Sequence, residues 1–330
     1  MKKRILTGDR PTGKLHIGHY YGSIKNRVKL QHEYELFYLV ADVQALTDNF
    51  DNPQKVRDNI YNVIKGNLAC GIEPENVTCI IQSLIPQTAE LTIFYANLVS
   101  IQKLGHNPTV KSEMAQKGMD ESTPLGFFMY PVSQAADITI VEANLVPVGV
   151  DQAPMIEDTR EIARKFNQIY GDTIVLPEAL YGATHNLVGT DGNAKMSKSL
   201  NNCIYLDESE ETLRKKIMSM RTDPKRIHAT DSGETEGNPV FIYHDAFNPN
   251  LEEVEDLKSR YKVGTVGDVE VKEKLYIAVN EFLKPIREKY IEFDKNDDLI
   301  KQIAHDGTEK ARKIAEETMK KVRAAMKIDY

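Results

Sequence analysis

The chain has 330 residues, enough for one large domain or two ordinary ones, with apolar and charged fractions typical of a globular protein that buries a core. A formal net charge of −7 excludes a uniformly basic nucleic-acid coat, though a local basic patch stays compatible with it. No apolar run approaches the roughly 20 residues that span a bilayer, and "MKKRILTGDR" lacks the apolar core of a secretory leader, so a cytoplasmic protein without a membrane partner is expected. Cys70, Cys79 and Cys203 are too few and too scattered for a disulfide framework or a zinc cluster, and read as small buried apolar side chains. Tryptophan is absent.

In chain order, residues 3–7 (KRILT) predict a first strand that stops at Gly8. Residues 16–30 carry a helical pattern. Residues 36–40 (LFYLV) are continuously apolar, as a strand buried on both faces requires. Residues 53–69 predict a helix: Pro53 starts it, Val56, Ile60, Val63, Ile64 and Leu68 supply its apolar side, and Gly71 lies past its end. Residues 77–81 (VTCII) predict another strand and residues 87–100 another helix. Residues 145–148 (LVPV) predict a later strand, followed by a helix over 151–166. This alternation predicts an α/β fold, a doubly wound, Rossmann-like parallel sheet with helices on both faces. "LVGTDGNAKMSKSLNN", from Leu187, is a polar loop. From about Asp207 the patterns are nearly all helical, and within 308–327 Ala311, Ile314, Ala315, Met319, Val322 and Met326 share one face. The expected organisation is a catalytic domain over 1–205 and a mostly helical domain over 206–330, its last helix a candidate to pack back on the first domain.

"TGDRPTGKLHIGHYYGS", residues 7–23, concentrates glycine, proline and histidine directly after the first strand. Doubly wound folds bind ligands outside the carboxyl ends of their strands. Gly8, Pro11 and Gly13 stand in that position, and His16, Gly18 and His19 open the next helix. Backbone N–H groups and the helix dipole favour a phosphate there, imidazoles can donate to its oxygens, and Gly18 leaves room for close approach. Alone, His-x-Gly-His fits a surface turn with two incidental histidines equally well. The second signal is Lys195-Met196-Ser197-Lys198-Ser199. Two ammonium groups and two hydroxyls, in a loop loosened by Gly189 and Gly192, make a mobile cationic flap for a charge that develops during reaction, such as a departing pyrophosphate. Alone, Lys-x-x-Lys is a solvated basic loop. The pairing decides.

HIGH at 16–19 with KMSKS at 195–199 resembles the class I aminoacyl-tRNA synthetases. Within them, "PTGKLHIGHYYGS", "YPVSQAADI", "PVGVDQ", "TREIARKFN" and "DGNAKMSKSLNN" are similar to the bacterial-type tryptophanyl-tRNA synthetase family. The likeness continues through "IMSMRTDPKR", "NPVFIYHDAF" and "VGTVGDVEVKEKL", in order over nearly the whole chain. It implies ATP-dependent activation of L-tryptophan to the adenylate and transfer to tRNA(Trp), by positioning and charge stabilisation without a protein nucleophile. The resemblance assigns His16, His19, Lys195 and Lys198 as the catalytic set. It places Arg10, Pro11 and Thr12 beside ATP, with Gly18 and His19 on phosphate and ribose. Gly149, Val150 and Asp151 would hold the adenosine and Val188 would lie near adenine. Lys195 and Lys198, in one loop with Met196, Ser197 and Ser199, would clamp the β- and γ-phosphates. Mg²⁺ is expected with ATP, bound mostly by phosphate oxygens and water, with no resident metal site.

Asp137 matches the family's acceptor for the indole N–H; phenylalanine would leave that buried acceptor unpaired and be rejected. Its neighbours Ala135, Ala136 and Ile138 weigh against a surface carboxylate, and Tyr130 and Gln152 complete the implied pocket. The helical part is expected to read the anticodon. Its basic candidates are "RTDPKR" (221–226) and the set Lys310, Arg312, Lys313, Lys320, Lys321 and Arg323, for which the polar face of an amphipathic helix is the alternative. A homodimer is expected, with residues about 85–140 at its interface and the apolar "LGFFMY" (125–130) compatible with that. Three positions depart from the family's usual pattern. Gln134 replaces a common methionine, Gln44 a common histidine and Arg10 a common glutamine, which makes the implied pocket more polar. The competing functions are a tyrosine-specific synthetase, a small-molecule nucleotidylyltransferase, and a catalytically idle synthetase-like amino-acid sensor or RNA binder.

Overall fold

The structure is a computed structural model and describes residues 2–116, 118, 123–149, 152–182, 187–193 and 196–330, with the backbone alone at 116 and 199. Its strands are β1 (Arg4–Asp9), β2 (Glu35–Val40), β3 (Val77–Ile81), β4 (Leu145–Val148) and β5 (Glu178–Tyr181). They form one wholly parallel sheet in the order β3-β2-β1-β4-β5. Every residue of β3 and five of six in β2 are buried, which is why both read as unbroken apolar runs. Strand order reverses between β1 and β4, the point at which such sheets open a crevice for ligands.

The helices follow local rules. Pro53–Ala69 begins with the Asn52 side chain accepting the Lys55 N–H and with proline in its first turn. It ends at Gly71, whose φ of +106° favours glycine. The pattern over 16–30 is built in three pieces: helical turns at Ile17–His19 and Lys25–Leu30 flank a π-helical turn, Tyr20–Ile24.

Two compact units result: Met1–Gly13, Asn26–Thr184 and Asp297–Tyr330 form the first, Lys14–Lys25 and His185–Asn296 the second. This differs from a division at 205/206 for two physical reasons. The HIGH segment packs within the second unit, where Ile17 N–H donates to Ile204 O (2.9 Å), Leu206 N–H to Leu15 O (3.1 Å), Tyr20 meets Phe282 edge-on and Tyr21 packs at a tilt against Phe247. The last helix, Asp297–Met326, packs in the first unit against β3. It starts well before residue 308 and buries Ile300, Ala304, Thr308, Ala311, Ala315, Met319 and Val322, a helical stripe; Ile314 and Met326 are only partly buried. Gly307 permits the contact, because a Cβ there would lie 2.1 Å from the Cys79 carbonyl oxygen. Beside it Thr308 Oγ1 accepts the Ile81 N–H at 3.1 Å.

Candidate active site

A cavity of about 270 Å³ opens in the first unit where β1 and β4 end, lined by Leu6–Arg10 of the β1 edge and Val146 of β4. That size is at the low end for ligand pockets, about 300–1,000 Å³, and fits one amino-acid-sized molecule. Six residues named from the sequence line it together: Arg10, Gln44, Tyr130, Gln134, Asp137 and Gln152.

Asp137 is 4% exposed, on helix Tyr130–Ile140. Its Oδ2 accepts Gln82 Nε2 at 2.8 Å, and Gln82 Oε1 accepts the Gln44 backbone N–H at 3.0 Å. The amide of Gln82 is thereby held in one orientation. Burial first, and the Asp42 carboxylate next to it, push Asp137 up to about 7 against the lowering bond from Gln82. Asp42 is itself fixed, accepting the backbone N–H groups of Val43 and Ser83. Gln44 and Gln134 line the cavity as well.

Elsewhere in the wall, Tyr130 packs edge-on against Phe127, and its buried hydroxyl lies near Glu113 and Arg10. Burial and then the Glu113 carboxylate raise the phenol's pKa, while Arg10 opposes them. Arg10 pairs with Asp48, and its buried Nε has no hydrogen-bond partner among the described residues. A carboxylate, a phenol and a guanidinium thus stand together at one place in the wall. Asp9 also lines the cavity, with its carboxylate held by Arg27, Tyr38 and Asn67.

Sequence reasoning missed Gln82, Glu113, Asp9 and Arg27. No motif spacing joins them to the site; Asp9 alone carried a signal, as a carboxylate inside the glycine-rich stretch.

The second unit holds the other motif residues. His16 N–H donates to His19 Nδ1 at 3.1 Å, so a neutral His19 carries its proton on Nε2. The two rings lie 3.7 Å apart between centroids. Any Cβ at Gly18 would sit 2.9 Å from His16 Nδ1 and 3.0 Å from Met196 Sδ, so HIGH and KMSKS meet there. The loop is braced rather than simply loosened by its glycines. Asn202, 2% exposed, accepts Ser197 N–H at 2.7 Å and donates to Asp191 Oδ1 at 3.0 Å. A Cβ at Gly189 would meet that Asn202 nitrogen at 2.2 Å; Gly192 has φ +79°. Burial opposes ionisation of Asp191, but bonds from Asn193 and Asn202 win and lower its pKa. Lys198 opens the short helix Lys198–Leu200, and Val188 O accepts the Tyr243 hydroxyl at 2.7 Å.

Pro11, Thr12 and Gly149 belong to the first unit but not to the cavity lining; Thr12 N–H donates to Arg10 O and Gln152 N–H to Gly149 O. Val150, Asp151 and Lys195 lie outside the described residues, as does the side chain of Ser199. Five of the basic candidates for RNA contact have other work. Arg226 is buried, 4.0 Å over the Tyr261 ring, donating to the carbonyls of Asp231, Ala229 and Val266. Lys310, Arg312, Lys321 and Arg323 bind Thr78, Leu84 O, Glu142 and Glu90 respectively, which ties the last helix to its own unit.

Residues 1–284 match the family described as tRNA synthetases class I (W and Y). A tryptophan–tRNA ligase of Streptococcus pneumoniae is 52% identical over 337 aligned residues, covering 100% of this chain and 99% of the relative. One from Clostridium longisporum is 51% identical, with 100% and 98% covered. Among solved structures, the tryptophanyl-tRNA synthetase of Campylobacter jejuni in complex with ADP and tryptophan superposes with a TM-score of 0.87, at 35% identity, covering 98% of this chain and 99% of that one. Among the described residues no helix is long and apolar enough to cross a membrane. With motif pair, sheet order and full-length similarity in agreement, the chain belongs to the class I tRNA synthetases of the tryptophan and tyrosine group.

Proposed function

We propose that this chain activates L-tryptophan with ATP, forming tryptophanyl-adenylate and pyrophosphate, and then transfers the tryptophanyl group to tRNA(Trp). In the first step a carboxylate oxygen of tryptophan bonds to the α-phosphorus of ATP as the bond to the bridging oxygen of pyrophosphate breaks. In the second, a ribose hydroxyl at the tRNA 3′ end attacks the activated carbonyl and AMP leaves. Neither step needs a protein nucleophile; rate comes from alignment and from cations placed where charge develops.

The observation that carries the reading is Asp137, a buried carboxylate at the cavity whose neighbour Gln82 is locked as a donor to it. Its ionised form accepts the indole N–H, and a ligand without that donor leaves a buried acceptor unpaired. Tyr130, Gln134, Gln152 and Gln44 complete the amino-acid site. Glu113, beside the Tyr130 hydroxyl, receives the ammonium of the substrate. Arg10, Pro11, Thr12, Gly149, Val150, Asp151 and Val188 serve ATP. His19 donates from Nε2 to phosphate, next to Gly18 and His16. Lys195 and Lys198, with Met196, Ser197 and Ser199, take the charge of the departing pyrophosphate. Mg²⁺ enters on the phosphates of ATP as part of that substrate.

Residues of the helical second unit read the anticodon in this proposal, with exposed Arg221 and Lys225 in place of buried Arg226. The enzyme works in the cytoplasm as a homodimer, for which exposed Ile93, Ile101 and Leu125 supply an apolar face.

Amino-acid-dependent ATP–pyrophosphate exchange tests the reading, run with tryptophan, tyrosine and phenylalanine. Exchange with tryptophan alone, abolished in Lys195→Ala/Lys198→Ala, is the expected result. Exchange with tyrosine instead would overturn the role of Asp137, and none with any amino acid would overturn the activity.

A further inference from the structure

An ion pair ties Asp9 of the cavity wall to Arg27, which lies outside every motif. Arg27, 3% exposed, stands on helix Lys25–Leu30, and all five of its N–H donors are used. Nε donates to Thr7 Oγ1 (3.0 Å). One terminal nitrogen donates to Asp9 Oδ2 (2.5 Å) and Asn67 Oδ1 (2.9 Å), the other to Asp9 Oδ1 (2.9 Å) and Gly8 O (3.2 Å). Tyr38 Oη and Asn67 Nδ2 donate in turn to Asp9 Oδ2, at 3.1 and 3.2 Å. Burial works against the guanidinium charge, yet the Asp9 carboxylate outweighs it and raises the pKa of Arg27.

Thr7, Gly8 and Asp9 are three consecutive residues of the cavity wall, and Arg10 is the next. Asp9 is also the last residue of β1 to pair in the sheet, opposite Val40. The next β-bridge along the chain comes only at His16, with Tyr205 of the second unit. Arg27 lies 18 residues further on, so its grip on Asp9 joins the two ends of the segment that carries Arg10, Pro11, Thr12 and HIGH. Closing a loop in this way removes conformers at both ends. A buried ion pair adds little net stability compared with apolar groups of the same size, whereas a five-bond fork specifies geometry.

We propose that Arg27, acting through Asp9, is a positioning residue for amino-acid activation: it fixes the β1 edge from which Arg10 and the HIGH segment depart. It touches no substrate. The proposal rests on the cavity being the amino-acid site.

The variant Asp9→Asn/Arg27→Met removes both charges, so no buried carboxylate is left unpaired. Because the chain has no tryptophan, the change in indole emission anisotropy on binding is read without an indole background from the protein. The double variant is expected to melt below the parent, because Gly8 O and Asn67 Oδ1 lose their donor, and, where folded, to bind tryptophan with nearly parental affinity while kcat for exchange falls by about 100-fold, the scale of a 1 Å misplacement. Arg27→Lys, which keeps the charge and loses the fork, is expected to lower kcat by about tenfold and covers the case of an unstable double variant. Parental kcat in a folded double variant, or a loss that disappears at temperatures where the variant is fully folded, would overturn the proposal. Asp137→Asn separates the underlying reading: unchanged tryptophan affinity in that variant means the cavity is not the amino-acid site, whatever Arg27 does.

Discussion

Gln82 and Asp137 are joined by one hydrogen bond of 2.8 Å, and the Gln44 N–H on the other end of the Gln82 amide prevents that amide from turning over. Asp137 therefore always meets an N–H from Gln82, and its carboxyl, pushed up to about 7, changes charge near neutral pH. Only the ionised carboxylate is a strong acceptor for indole. Tryptophan affinity is expected to rise severalfold from pH about 6 to about 8 and then level off. Asp137→Asn is expected to bind more weakly, with a flat profile. Equilibrium titration by indole emission anisotropy checks both.

The same shift has a stability consequence of defined sign. The folded chain holds the Asp137 proton more tightly than an unfolded one, where the pKa is about 3.9. Stability contributed by this group is therefore lost as pH rises from about 3.9, and the loss is complete above about 7. Asp137→Asn is expected to melt above the parent at pH about 8 and to show no such gain near pH 4. Thermal unfolding at the two pH values decides.

Glu113 is the second carboxylate to which the proposal gives a specific role. Glu113→Gln is expected to raise the KM for tryptophan at least about tenfold by removing a charge-assisted bond to the ammonium. Inhibition by indole-3-propionate, which has the indole and carboxylate but no amine, is expected to stay parental. An equal loss for both compounds would mean that Glu113 shapes the cavity rather than reading the amine.

Asn202 braces the KMSKS loop by bonding Ser197 N–H and Asp191 at once. Asn202→Ala leaves room at Gly189 and frees the loop, so kcat for exchange is expected to fall by about 10- to 100-fold. Tryptophan binding, which the proposal places in the cavity of the first unit, is expected to be unchanged. A drop in tryptophan affinity of the same size would contradict this division of labour.

Gly307→Ala drives a Cβ toward the Cys79 carbonyl oxygen. Helix propensity favours alanine by about 1 kcal/mol, but a backbone clash in a packed contact costs about 1–3 kcal/mol or more. The net expectation is a lower melting temperature with parental kcat in the fraction that stays folded, measured by thermal unfolding and exchange together.

Much of this protein was determined by local sequence. β2 and β3 are unbroken apolar runs because both faces are covered, and Pro53 and Gly71 bracket their helix because each backbone position demands them. HIGH and KMSKS were legible because their residue types have few other uses in combination. Asp137 was legible by resemblance, with apolar neighbours on its helix agreeing. β5, in contrast, has no fully buried residue and so leaves no apolar run to read. Gln82, Glu113, Arg27 and Asp9 meet the site across separations that no local pattern encodes. Assignment of the HIGH segment to the second unit was likewise decided in three dimensions. Side-chain periodicity states which face of an element is buried; which partner covers it depends on packing between distant segments, such as Leu15 with Leu206 and Gly307 with Cys79, and that exists only in the folded chain.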